Sequence, residues 1–91
     1  MKEQFVFRLF IAGGSPNSSQ ALQNLRRICE TYLIDCHRID VVDVFIEPER
    51  AMDEGIIVTP TLVKLEPIPV RRIIGNLSEP ELVLQALGLA N

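Results

Sequence analysis

Apolar runs and polar breaks alternate along the chain, and the breaks fall where local structure must change. Phe5 to Ala12 is nearly continuously apolar, the pattern of a central strand covered on both faces. Gly13-Gly14 ends it. Ser15-Pro16-Asn17-Ser18 then opens a helix, with Ser15 as cap and Pro16 in the first position, or Asn17 as a later cap. Ala21, Leu22, Leu25, Ile28, Cys29 and Tyr32 recur at helical spacing and define its core face. Ile39 to Ile46 reads as a second strand. Strand, helix and strand, with roughly 20 residues of connection, imply a parallel pair and a right-handed crossover. Pro48 to Glu54 is a short helix with proline at its start and Gly55 as its stop. Met52 is its expected core contact.

The second half is punctuated by proline. Thr61 to Leu65 is apolar and β-branched, a strand. Glu66-Pro67-Ile68-Pro69 breaks it, because proline removes a donor and fixes φ. Val70 to Ile74 is another extended run, stopped by Gly75-Asn76. Ser78 precedes Glu81 by a capping-box spacing, with Leu77 and Leu82 placed as a hydrophobic staple and Pro80 in the first turn. Leu82 to Gly88 continues as helix. The order βαβαββα predicts one α/β domain, a mixed four-stranded sheet with helices on its faces, in the thioredoxin-like order. Such folds place a cis-proline where a strand opens after a short helix. Thr59-Pro60-Thr61 occupies that place, and both the cis form and an ordinary trans proline fit it.

Composition narrows the function. At 91 residues, 47% of them hydrophobic, the chain makes one small domain with a real but modest core. No apolar run approaches the roughly 18 residues that a membrane span needs. The first residues carry charge inside their apolar stretch and no small-residue cleavage site follows. No signal peptide is therefore expected, and the expected compartment is the cytoplasm. The net charge of −3 and the absence of tryptophan argue against nonspecific nucleic-acid binding and a base-stacking platform.

Chemistry is hard to find. In a thioredoxin-like oxidoreductase the Cys-x-x-Cys pair sits where the first strand meets the first helix, whose N-terminus lowers the thiol pKa. Here that place holds Ser15-Pro16-Asn17-Ser18, and serine forms no disulfide. Cys29 and Cys36 have neither redox nor zinc spacing and read as buried or half-buried thiols. His37, the only histidine, reads as a surface or strand-end residue. Gly13-Gly14 lacks the Gly-Lys-Ser/Thr of a phosphate loop. Asp40 and Asp43 point to opposite faces of one strand, with no acid–base partner in view. Neither an enzyme nor a cofactor or metal site is expected. Surfaces remain as the working parts: the Arg71-Arg72 pair, Lys64, the acids Asp40, Asp43, Asp53 and Glu54, and the proline turn.

Five segments resemble the circadian clock KaiB family: strand one running into Ala12-Gly13 with Pro16-Asn17-Ser18; Val41-Val42-Asp43-Val44; Thr59-Pro60-Thr61-Leu62; Pro67-Ile68-Pro69-Val70-Arg71-Arg72-Ile73-Ile74-Gly75; and Asn76-Leu77-Ser78. The resemblance implies a non-enzymatic clock or timer component that binds the KaiC ATPase ring and regulates its phosphorylation. In cyanobacterial members it does so by sequestering KaiA and competing with the histidine kinase SasA. It also implies a metamorphic chain. A monomeric thioredoxin-like state binds KaiC. A homotetrameric or dimeric alternative keeps the first βαβ half and rearranges the rest. Carried over by position, the partner face comprises Arg38, Asp40, Val42, Met52, Gly55 and Lys64. The switching half runs from Gly55 to Ala90, with Pro60, Pro67, Pro69, Gly75, Ala86 and Gly88 as its marked positions. Cyanobacterial members commonly carry lysine where this chain has Asp40 and Gly55, which leaves open a KaiB-like adapter for another signalling partner, such as a histidine kinase. They often have glycine at Ala86. Alanine is favoured inside a helix by about 1 kcal/mol, so this chain is expected to favour the thioredoxin-like state.

Overall fold

The computed structural model describes residues 3–89; Ala90, the end of the expected switching half, lies outside them. Seven elements follow in the expected order: β1 (Phe5–Ile11), α1 (Pro16–Tyr32), β2 (His37–Asp43), α2 (Pro48–Asp53), β3 (Thr61–Glu66), β4 (Arg71–Ile74) and α3 (Pro80–Ala86). They form one four-stranded sheet in the order β2-β1-β3-β4. β1 pairs in parallel with β2 and antiparallel with β3, which pairs antiparallel with β4.

The period-two alternation of β1 divides its side chains between two cores. Phe7 and Leu9 join Leu62 of β3 under α1 and α3, where Ala21, Leu25, Ile28, Cys29, Val83 and Leu84 complete the larger cluster. Phe10 faces the other way and meets Val42, Val63 and Ala51 of α2 in a smaller one. Both faces of β1 are thus filled, as its unbroken apolar run requires.

α1 starts as expected. Ser15 is the N-cap, its side chain accepting from the Ser18 N–H, with Pro16 following. Its core face differs at the end: Tyr32 is exposed and Leu33, the C-cap residue, is buried in its place. β2 runs from His37 to Asp43 rather than from Ile39 to Ile46. The Asp43 carboxylate accepts from the Phe45 N–H at 2.9 Å, a local turn that stops the strand. Phe45 and Ile46 therefore leave the sheet and stand exposed.

In α2 the core contact is Ala51. Met52, expected to fill that role, is 77% exposed, because the short helix turns a single residue onto the sheet. α3 corrects the expected capping box. Its N-cap is Glu79, without a side-chain bond, and Pro80 takes the first helical position. A proline favours that position and holds the residue before it extended, so Ser78 falls outside the helix. Leu82 is exposed and makes no staple, while Leu77 reaches the core from a left-handed conformation, φ 62°.

Candidate functional site

The β1–α1 turn comes first, because thiol chemistry would sit there. Ser18 is buried and its hydroxyl accepts from the Ala12 N–H at 3.0 Å. Ser15 caps the helix. Asp43 accepts from the Gly13 N–H at 3.2 Å. All three side chains are committed to closing the turn. Cys29 is buried, and that burial pushes its thiol up to about 12; at neutral pH it is no nucleophile. Cys36 is half-buried, and both cysteines are free. His37 opens β2 and its Nδ1 bonds the Leu33 carbonyl at 2.8 Å. Among the described residues no group of three His, Cys, Asp or Glu is placed to hold a metal.

A polar network covers the sheet beside α2. Arg8 lies in the middle of β1, directly opposite Asp40 of β2. Asp40 Oδ2 accepts from Arg8 Nε at 2.8 Å and from Arg50 Nη2 at 2.6 Å. Arg8 Nη1 also reaches Glu54 Oε2 at 2.7 Å. Arg50 adds a longer contact to Glu47 at 3.4 Å, and Arg72 of β4 donates to the Glu54 carbonyl. One network thereby ties α2 to three strands. Partial burial alone would push the Asp40 carboxyl up. The bonds from Arg8 and Arg50 together outweigh it and hold the carboxyl below its ordinary value. The Asp40 bond, then the Glu54 bond, raise the Arg8 guanidinium in turn. Sequence reading left Asp40 without a partner. The signal was Arg8 itself, a charge inside a two-sided strand that needs an acid on its neighbour.

The expected partner face is only partly assembled. Arg38, Asp40 and Val42 alternate on β2 toward the α2 side, but Val42 is fully buried beneath Ala51. Lys64 is 4% exposed, since its place in β3 alternates with Val63 and turns its stem to the α1–α3 side. Neither Val42 nor Lys64, both named for the partner face, offers open surface in this fold. Arg38, Met52 and Gly55 are exposed, and Gly55 takes φ 67° with open space around it. Phe45, Ile46 and Ile57 are also exposed, Phe45 lying past the end of β2 near Gly13; sequence reading missed the first two because it assigned them to the strand. Among the marked positions of the second half, Pro60, Pro67 and Pro69 follow cis bonds, and Gly75 and Gly88 have positive φ. Ala86 closes α3.

A mixed sheet with α1 and α3 on one face, α2 on the other and a cis-proline opening β3 defines a thioredoxin-like α/β protein, here with serines at the redox position. Solved structures agree on the fold. The N-terminal domain of Synechococcus elongatus SasA matches with a TM-score of 0.76, covering 100% of this chain and 90% of that one at 21% identity. Mitochondrial thioredoxin 3 from Saccharomyces cerevisiae matches at 0.74, covering 97% and 81% at 19% identity. Sequence identifies the family. Residues 8–89 match the KaiB domain. The circadian clock protein KaiB3 of Synechocystis sp. is 45% identical over 86 residues, covering 94% of this chain and 84% of the relative. The circadian clock oscillator protein KaiB of Synechococcus sp. (strain RCC307) is 44% identical over 88 residues, covering 97% and 80%. The chain belongs to the KaiB family of circadian clock proteins.

Proposed function

We propose that this chain is a non-enzymatic, cytoplasmic clock or timer component that binds the KaiC ATPase ring through the α2 side of its sheet. By the same reading it modulates KaiC phosphorylation and meets KaiA or a SasA-like kinase on that assembly. The observation that carries the reading is the surface around α2. Met52 of α2 and Ile46, just before Glu47 of the charged cluster, expose apolar side chains, and exposed apolar groups rimmed by charge mark protein interaction sites. Membership of the KaiB family supports KaiC as the partner in this reading. The half from Gly55 onward, including Pro60, Pro67, Pro69, Gly75, Ala86 and Gly88, is proposed as the part that exchanges fold.

A second reading rests on Asp40. The family resemblance implies a lysine there, whereas this chain has a carboxylate held by two arginines. The changed charge favours an adapter for a different partner, such as a histidine kinase. Titration against the KaiC ring of the same organism, with nucleotide present, followed by analytical ultracentrifugation, separates the two. A slowly forming complex with several of these chains per ring is expected. No complex after hours at tens of micromolar overturns the KaiC reading and leaves the adapter.

A further inference from the structure

β4 is an edge strand, hydrogen-bonded to β3 alone. Its register shows which backbone groups remain free. The Gly75 N–H donates to the Pro60 carbonyl at 3.0 Å, so Gly75 and Pro60 occupy a hydrogen-bonded position of the ladder, although proline has no N–H to return the bond. The ladder pairs Ile74 with Thr61, Ile73 with Leu62, Arg72 with Val63 and Arg71 with Lys64. Hydrogen-bonded and open pairs alternate in an antiparallel ladder. Ile73 and Arg71 therefore spend their groups on β3, and the N–H and C=O of Arg72 and Ile74 point outward. Beside this edge lies a groove of about 160 Å³ formed by Ile56, Ile57, Val58 and Ile74 with the Arg72 stem. Ile57 is 94% and Ile74 67% exposed. Arg71 makes no ion pair among the described residues.

We propose that the free edge of β4 docks an extended acidic segment of a partner protein, which joins the sheet as an added strand. Charge decides this occupant against a second copy of the chain. Self-pairing through the outward groups would centre on Ile73 and oppose Arg72 with Ile74 of the other copy. The two Arg72 side chains would then stand on one face at the diagonal spacing of about 7–8 Å, with both Arg71 residues flanking the junction. Arginines on a short edge behind Pro67 and Pro69 guard against that pairing and attract a strand of opposite charge.

The register also sets the partner's pattern. In an antiparallel addition, the residue opposite Ile74 enters the groove and is apolar. The next lies opposite Ile73 and is also apolar. The following two oppose Arg72 and Arg71 and are acidic. The surface is the opposite edge of the sheet from β2, and its groove borders the α2 side at Gly55 and Ile57; the test therefore uses the chain and peptide alone, so that its outcome does not depend on whether KaiC binds.

The test is an NMR titration of the ¹⁵N-labelled full chain with the capped peptide Ser-Ile-Val-Glu-Asp-Ser, against Ser-Ile-Val-Lys-Lys-Ser as control. The largest amide shifts are expected at Arg72 and Ile74 with the acidic peptide only. Arg71→Glu should weaken binding about fivefold or more, from the loss of a cross-strand charge pair. Ile74→Pro removes an outward donor, leaves the β3 bonds in place and should abolish binding. The proposal is overturned by no shifts at β4, by equal binding of both peptides, or by shifts centred on His37 to Asp43. Concentration-dependent shifts at β4 without peptide would overturn it in favour of a second copy.

Discussion

Replacing Asp40 with asparagine preserves the shape of the side chain and deletes its charge. In the folded protein Oδ2 accepts from Arg8 Nε at 2.8 Å. A hydrogen bond to a charged group contributes about 1.5–3 kcal/mol when sheltered, and an exposed ion pair about 0.2–1 kcal/mol. The side chains of Arg8 and Asp40 are 26% and 36% exposed. Solvent screening therefore places the pair near the upper end of the exposed range, and Asp40→Asn should cost about 1 kcal/mol at neutral pH. The pH dependence has a fixed sign. Burial would raise the folded carboxyl, but the bonds from Arg8 and Arg50 outweigh it and leave it depressed. Its contribution is complete above the unfolded pKa of about 3.9 and is lost as pH falls through the lower folded value. Urea unfolding of the wild type, Asp40→Asn, Arg8→Met and the double variant at neutral pH and again in acid measures both terms. The gap between wild type and Asp40→Asn should close in acid, and the cycle should give a coupling of about 0.5–1 kcal/mol. Coincident unfolding curves at neutral pH, or a gap unchanged in acid, would refute the argument.

Three further outcomes follow from particular residues. Leu77 is buried at φ 62°; both Leu77→Ala and Leu77→Gly lose its burial, but only glycine releases a left-handed strain of about 1–2 kcal/mol. The glycine variant should equal or exceed the alanine variant in urea midpoint, and a clearly lower midpoint would count against the strain. Leu25→Ala, in the larger core, should cost about 2–5 kcal/mol by the same assay, and a loss below 1 kcal/mol would mean α1 is not packed as described. With its thiol buried and pushed up to about 12, Cys29 should resist a thiol reagent in the folded protein while Cys36 reacts. Mass spectrometry of the labelled protein checks this, and fast labelling of Cys29 would contradict the burial.

Much of the fold was legible because local signals agreed with one another. The unbroken run from Phe5 predicted a two-sided central strand, and β1 divides its side chains between two cores. Ser15-Pro16 set the start of α1 as read. The errors came where two residues competed for one role. Ser78 and Glu81 had a cap's spacing, but the rigid ring of Pro80 fixed the helix start and made Glu79 the cap. Ile39 to Ile46 had a strand's composition, but the Asp43 carboxylate reached the Phe45 N–H and ended the pairing. The candidate site was less legible because it is made of distant partners. The family resemblance gave Val42 and Lys64 to the partner face. The structure buries both, since side-chain direction depends on sheet register rather than on neighbouring residues. The Arg8–Asp40–Arg50 cluster joins two strands and a helix, and one-dimensional spacing cannot specify that meeting.

The unequal cores have a mechanical consequence. α1 and α3 are clamped to the sheet by a broad set of large side chains. α2 contributes one small buried residue, Ala51, whose methyl gains about 0.8 kcal/mol on burial. Its hold is otherwise the charged cluster, which weakens as ionic strength rises. The domain is therefore stiff on one side and compliant on the other. Any partner that seats on the compliant side can tilt α2 for little strain, and salt tunes how little.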